Sequence, residues 1–125
     1  MGYKRLRIYL LADDLVVRIH KMSLGLPSFE RHETGSQIRR SIKSVKSNIV
    51  EGYGRRRYKK EFIRFIIFSL ASNDETIDHL DTLYKTGSLP EEKTYLEFKD
   101  DLIKLGKGIN SFLKAIEINH GNYNQ

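Results

Sequence analysis

The sequence predicts an all-α fold, specifically an antiparallel up-down-up-down four-helix bundle. Apolar residues recur at steps of three and four along four segments, which is the period of an α-helix, and no stretch shows the sustained alternation of a strand. Short loops join the segments, which favours antiparallel neighbours. The predicted helices cover approximately residues 3–22, 34–53, 58–85 and 90–118.

The first helix carries one apolar stripe and is predicted to end in a loop that contains Gly25 and Pro27. Residues 27–33 are typical of a short helical turn, with Ser28 as its cap. The stripe consists of Ile8, Leu11, Leu15, Ile19 and Met22.

The second helix opens on Thr34 and Gln37, which have the spacing of a capping box. Gly52 and Gly54 are predicted to end it, because glycine accepts the left-handed conformation of a helix C-cap. Its apolar stripe consists of Ile38, Ile42, Val45 and Ile49.

The third helix has an apolar stripe that Asn73 interrupts, and Gly87 is predicted to close it. Ser88 and Glu91 have capping-box spacing before the fourth helix. The predicted core positions are Phe62, Ile66, Leu70, Ile77, Leu80 and Tyr84 in the third helix, and Tyr95, Phe98, Leu102, Leu105, Ile109, Phe112 and Ile116 in the fourth.

The length of 125 residues fits one domain, residues 1–118, followed by a flexible polar tail, residues 119–125. The chain has no cysteine, which excludes disulfides, thiolate nucleophiles and cysteine-ligated metals. The apolar stretch near the N-terminus is cut at Asp13 and Asp14, too early for a signal peptide, and no stretch approaches a membrane span. We therefore expect a cytoplasmic protein without a membrane partner.

The net charge of +6 is unevenly distributed along the chain. Residues 1–64 hold 16 Lys or Arg against 6 acids, and residues 65–125 hold 6 against 10. This asymmetry indicates either a face that binds a polyanion or complementary faces that meet between subunits.

The basic side chains concentrate on the second helix and on the corner that follows it. Guanidinium groups can grip phosphates and tyrosine rings can stack on bases, so Tyr53 and Tyr58 within this run favour nucleic-acid contact. The alternative to nucleic-acid binding is that the corner between the two helices is exposed to solvent and tolerates charged residues without binding a ligand. The candidate nucleic-acid-binding residues are Arg39, Arg40, Lys43, Lys46, Arg55, Arg56, Arg57, Lys59 and Lys60.

No catalytic or metal site is predicted, and no cofactor is expected. The segment "GYGRRR" follows a helix rather than a strand and lacks the Gly-Lys-Ser/Thr ending of a nucleotide loop. Asp74, Asp78 and His79 are interpreted as an exposed acidic face rather than a cation site. Glu51 lacks a visible catalytic partner, so we expect it to pair with an arginine or with the backbone of a neighbouring helix.

Two segments, "QIRRSIKSVKSNIVEGYGRR" and "EFIRFIIFSLAS", resemble a family of small four-helix-bundle proteins encoded by intervening sequences in bacterial 23S rRNA genes. Val50 departs from the usual alanine of that pattern, as do Asn73 and Asp74 from its apolar or small residues. The matching positions are Gln37, Ile38, Arg39, Arg40, Ser44, Asn48, Ile49, Glu51, Gly52, Glu61, Phe62, Ile63 and Phe65.

The resemblance implies an antiparallel four-helix bundle that assembles into a ring or barrel, usually a homopentamer, with a basic surface. Most members of the family have no established activity. One branch of the family is similar to the accessory variability protein of diversity-generating retroelements, which binds a reverse transcriptase and nucleic acid. The motif residues Gln37, Asn48, Glu51, Gly52, Glu61 and Phe62 are then expected to serve packing or subunit contact.

The resulting hypothesis is a non-enzymatic, oligomeric accessory protein that binds nucleic acid, RNA rather than DNA. The alternative is a protein-interaction scaffold that binds an acidic partner or a reverse transcriptase.

Overall fold

The structure, a computed structural model, describes residues 2–119 and contains only helices and turns in that range, which confirms the all-α class. A 3₁₀ turn precedes four long helices and one short helix. The elements are the 3₁₀ turn Gly2–Arg5, α1 (Arg7–Leu24), α2 (Ser28–Arg31), α3 (Thr34–Gly54), α4 (Lys59–Lys85) and α5 (Glu92–Asn119).

The four long helices pack around one shared apolar core. Helix α3 packs against α4 and α1, and α5 packs against α4 and α1, so that each long helix has two neighbours. The predicted stripe of α3 is confirmed, because all four of its residues are fully buried. In α5 five of the seven predicted residues are buried, whereas Tyr95 and Phe112 are only partly covered.

The helix bounds differ most from the predicted ones at the start of α1. Gly2 has a positive φ of 58°, and the chain makes a separate 3₁₀ turn before α1 begins at Arg7. At the other end, residue 119 still belongs to α5. The rest of the predicted tail, residues 120–125, lies outside the described residues.

The predicted stripe of α1 is wrong at Leu11. Leu11 is 37% exposed, and Ala12 is fully buried in its place. The buried line of α1 is therefore displaced by one position near the start of the helix. At the end of this line Ser23 is buried, and Met22 is only partly so.

The polar residue Asn73 belongs to the core stripe of α4 instead of interrupting it. Its Nδ2 donates to the carbonyl oxygen of Leu102 on α5 at 2.9 Å. A Cβ on Gly106 would lie 3.0 Å from that Nδ2, so the missing side chain of Gly106 makes room for the contact. The buried line is Phe62, Ile66, Ser69, Asn73, Thr76, Leu80 and Leu83, and the predicted Leu70, Ile77 and Tyr84 lie at its edges.

Small hydroxyl residues join α3 to α4 beside Asn73. Ser69 Oγ donates to the carbonyl oxygen of Val45 at 2.7 Å, and Thr76 Oγ1 donates to Ser41 Oγ at 2.8 Å. Because buried polar groups are costly without partners, these bonds make such residues acceptable in a core and restrict which positions can face each other.

Gly52 and Gly54 do not cap α3 as predicted. In residues 2–119 only Gly2 and Gly87 have a positive φ, and α3 continues through both glycines to a cap at Arg55. Gly52 is buried against α4, where an added Cβ would lie 3.1 Å from Phe65 Cβ and from Ile66 Cδ1. Its function is therefore close helix packing. Gly87, at φ 82° after α4, is the helix-closing glycine that the sequence predicts.

The predicted side-chain caps at Ser28, Thr34 and Ser88 are also wrong. Neither α2 nor α3 has a side-chain cap hydrogen bond, and Pro27 rather than Ser28 precedes α2. Both of the other positions bond to the buried carboxylate of Glu30 instead. Its Oε1 accepts from the Thr34 backbone N–H at 3.1 Å, and its Oε2 accepts from Ser88 Oγ at 2.6 Å.

The hydrogen bonds to Glu30 lower the pKa of its carboxyl group. The Ser88 hydroxyl contributes most, burial opposes it, and Thr34 adds to the lowering. Since these bonds join the α1–α3 connection to the α4–α5 connection, Glu30 holds together one end of the molecule. Its charged form stabilises the fold above the ordinary carboxyl pKa, and this contribution is lost as pH falls through the lowered value.

We predict that Gly52→Ala lowers the free energy of unfolding by about 1–3 kcal/mol, because the new methyl group overpacks the α3–α4 contact. Gly54→Ala is the matched control. Nothing lies within 4 Å of its added Cβ, so alanine should be neutral or stabilise the helix by up to about 1 kcal/mol. Urea titration of both variants checks this, and equal effects would contradict the packing function of Gly52.

We predict that Glu30→Gln destabilises the protein at pH 6 by about 1.5–3 kcal/mol, since hydrogen bonds to a charged group are removed. The difference from the wild type should shrink as pH falls from 6 through the lowered pKa of Glu30, because the wild-type carboxylate then also becomes protonated. Urea midpoints across this pH range measure the effect, with the exposed Glu97→Gln as control. A difference that is independent of pH would argue against the charged carboxylate as the cause.

Candidate nucleic-acid interface

The basic side chains of α3 divide between two faces of the helix. Arg39 and Lys46 turn towards α1 and α2. Arg39 donates to Ser23 Oγ and to the Arg31 carbonyl oxygen, both at 2.8 Å, and Lys46 Nζ lies 3.0 Å from Asp13 Oδ1. Arg40 and Lys43 lie on the outward face, exposed and without a hydrogen bond or ion pair in residues 2–119. Of the four predicted cations on α3, two therefore bond within the protein and two are available to a ligand.

The basic corner, Arg55–Lys60, contains the turn between α3 and α4. Its first residue, Arg55, is held by two acidic side chains, with Nε 3.5 Å from Glu51 and Nη1 3.6 Å from Glu61. The guanidinium group also lies 4.9 Å from the centre of the Phe65 ring. Arg55 therefore fastens the end of α3 to the start of α4, and the expected pairing of Glu51 with an arginine is confirmed.

Two further cations of the basic corner bond to the protein itself. The Arg56 guanidinium lies 4.3 Å from the centre of the Tyr53 ring and donates to the Tyr53 carbonyl oxygen at 2.9 Å. Lys59 Nζ donates to the carbonyl oxygen of Glu117 near the end of α5, at 3.0 Å. This last bond brings the end of α5 beside the basic corner.

The remaining residues of the basic corner point into solvent. Arg57 and Lys60 are exposed and make no ion pair or side-chain hydrogen bond within the described part of the chain. Between them Tyr58 is 63% exposed. Of the nine predicted binding residues, the structure thus leaves Arg40, Lys43, Arg57 and Lys60 free for a ligand, and gives internal partners to the other five.

The family-motif residues lie mostly within the α3–α4 contact. Asn48 Nδ2 donates to the carbonyl oxygen and to Oγ of Ser44, at 2.9 and 3.0 Å, and Ser44 Oγ lies 2.8 Å from Ser72 Oγ on α4. Phe62 is fully buried. Gln37 differs from these residues, because its side chain is exposed near the start of α3.

Helix packing brings together two basic residues that are not among the nine predicted from the sequence. Arg7 and Lys107 line an open groove of about 610 Å³ between α1 and α5, whose apolar wall includes Leu11 and Phe112. The ring of Phe112 lies 5.7 Å from that of Phe62, next to the basic corner. Because Arg7 and Lys107 are a hundred positions apart, no local pattern in the sequence could associate them.

The described residues were also searched for a metal site and for a membrane-spanning helix. Within residues 2–119, no group of three or more His, Asp or Glu side chains is arranged to hold a metal ion. No helix in this range is long and apolar enough to cross a membrane.

Comparison with known proteins places these features in a family context. Residues 4–111 match the family described as 23S rRNA-intervening sequence protein. The chain is also similar to a crystal structure from Bacteroides thetaiotaomicron, of a protein with unknown function from the S23 ribosomal protein family. The TM-score is 0.74 at 23% sequence identity, over 86% of this chain and 95% of that one. At this identity the likeness bears on the fold alone. No curated protein matches the chain.

Proposed function

The chain belongs to the 23S rRNA-intervening sequence protein family, and on that basis we propose that it is a non-enzymatic protein that binds structured RNA. We propose RNA rather than DNA as the ligand because the description of the family names an intervening sequence of 23S rRNA. Most of the contacts would be to phosphates, which are recognised by charge and shape rather than by base sequence.

The four exposed cations without an internal partner carry this proposal. A cation that already pairs with a carboxylate must give up that partner before it can bind a phosphate, whereas Arg40, Lys43, Arg57 and Lys60 need not. Along α3, Lys43 lies about 18 Å from the start of the basic corner at Arg55, at about 1.5 Å per residue. A surface of this length can contact several successive phosphates, and each one neutralised adds to the affinity.

Glu51 has no catalytic task in this proposal. Its carboxylate is 56% exposed and pairs with Arg55 at the surface. A general acid or base needs both a matched pKa and a positioned substrate, and an open surface ion pair does not position a substrate.

We also infer that the four long helices form the antiparallel up-down-up-down bundle. The supporting observation is the order of the contacts: as residue numbers rise along one helix, the numbers of their partners on the neighbouring helix fall. Between α3 and α4, residues 41, 44 and 45 contact residues 76, 72 and 69 respectively. Between α4 and α5, residue 73 contacts 102 and residue 81 contacts 95.

A homo-oligomer, a pentamer in this proposal, would increase RNA affinity by placing several basic corners on one particle. Exposed apolar side chains on α4 and α5 support such an assembly, since they could be covered between copies. They include Ile67, Phe68, Leu96 and Ile103, which are 40–51% exposed.

We predict that Arg57→Ala with Lys60→Ala weakens binding of a fluorescein-labelled RNA hairpin, measured by fluorescence anisotropy. The slope of log affinity against log salt concentration should fall by about 2, because two phosphates are no longer neutralised and each accounts for a slope of about 1. The control is Lys21→Ala with Lys93→Ala, which removes the same charge from exposed positions at the other end of the helices.

Equal RNA affinity of the wild type and both double variants would contradict the proposed site. Binding of an acidic protein that survives nuclease treatment and is abolished in Arg57→Ala with Lys60→Ala would then favour the protein-scaffold alternative. Turnover of the labelled hairpin that disappears in Glu51→Gln would contradict the non-enzymatic part of the proposal.

We predict that multi-angle light scattering gives a mass near five times the 14.6 kDa of one chain. A charged side chain placed in the apolar surface, as in Ile103→Asp, should reduce this mass, because it cannot be buried without a partner. A wild-type mass of 14.6 kDa would contradict the oligomer and with it the gain in affinity.

A further inference from the structure

Tyr58 is an exposed aromatic ring on a fixed backbone. Its ring is 63% exposed and contacts no other ring within residues 2–119. Its backbone N–H donates to the Arg55 carbonyl oxygen, and its own carbonyl oxygen accepts from the Phe62 N–H, both at 2.9 Å. These hydrogen bonds hold the backbone that carries the ring, so a ligand that binds the ring need not first order the chain.

The neighbouring tyrosine, Tyr53, is not available in the same way. The Arg56 guanidinium covers it at 4.3 Å from the ring centre, and Phe62 packs against it edge-on at 6.3 Å. The sequence presents both tyrosines as possible stacking partners for a base, but only Tyr58 offers a free face.

Two exposed cations lie close to Tyr58 in the sequence. Arg57 precedes it and Lys60 follows two residues later, and both are exposed without an internal partner among residues 2–119. An exposed aromatic ring with free cations on either side along the chain suits a single strand, in which each base is flanked by backbone phosphates. A uniform duplex cannot use such a ring, because its bases are stacked on each other and show only their edges.

We propose that Tyr58 stacks on an unpaired base while Arg57 and Lys60 hold the adjacent phosphates, so that the ligand is RNA with unpaired nucleotides, such as a hairpin loop. This inference rests on the proposed RNA binding and narrows its ligand class. It predicts a preference for RNA loops and single strands over blunt duplex, without strong dependence on sequence, because every base has an aromatic face.

The test compares two fluorescein-labelled RNAs of equal length, a hairpin with an unpaired loop and a blunt duplex, in anisotropy titrations. Tyr58→Ala should weaken hairpin binding by about fivefold to a hundredfold, the range expected when one base is no longer stacked, and should leave duplex binding unchanged. The salt dependence should also stay unchanged, because tyrosine carries no charge. Tyr58→Phe should bind as the wild type does, since it keeps the ring.

Phe29→Ala is the matched control variant, because Phe29 is 62% exposed and lies at the other end of α3, in α2. It should leave binding of both RNAs unchanged. Equal weakening in Tyr58→Ala and Phe29→Ala, or no weakening in Tyr58→Ala, would overturn the stacking inference.

The failure of this inference can be distinguished from failure of the proposed function. If Arg57→Ala with Lys60→Ala weakens binding of both RNAs but Tyr58→Ala weakens neither, the protein binds RNA through phosphates alone. If the wild type binds neither RNA, both the proposed function and the stacking inference are wrong. A smaller oligomer mass in Tyr58→Ala, without a change in hairpin affinity, would assign the ring to an interface between copies and also overturn the inference.

Discussion

The close contact between α3 and α4 is the constraint on which the rest of the molecule depends. Gly52 lies directly against Phe65 and Ile66, where even one methyl group would be crowded. Farther along the same contact, serine and threonine hydroxyls bond across the two helices. These bonds require particular residues to face each other, and small side chains keep the two backbones near. The helices can then be connected by a turn that comprises only residues 55–58.

Some basic residues at this short turn bond within the protein and stabilise the fold, whereas others remain available to a ligand. Arg55 reaches back to Glu51 and across to Glu61, so it forms ion pairs with two carboxylates at the junction. Arg56 lies over Tyr53, and Lys59 bonds to the end of α5. Arg57, Tyr58 and Lys60 have no such neighbour within residues 2–119 and remain in solvent. The proposed ligand surface is thus formed by the residues that the fold does not use.

The sequence predicted the apolar part of the fold better than its polar part. The stripe of α3 was predictable because isoleucine and valine at helical spacing have one stable location, the core. The burial of Asn73 was not predictable, because an amide is usually exposed and the partner of its Nδ2, the Leu102 carbonyl oxygen, lies on another helix. The caps failed for a related reason, since Glu30 bonds to both Thr34 and Ser88 and competes with their local hydrogen bonds.

The sequence by itself determined the helical class, the main apolar stripes and the basic character of the region from Arg39 to Lys60. Each of these depends on local periodicity or on composition, which a linear sequence contains in full. The tertiary structure alone decided which cations are free, that Tyr58 rather than Tyr53 offers its ring, and that Arg7 joins Lys107 at one groove. These outcomes depend on which distant segments become neighbours, and that is settled by packing across the core.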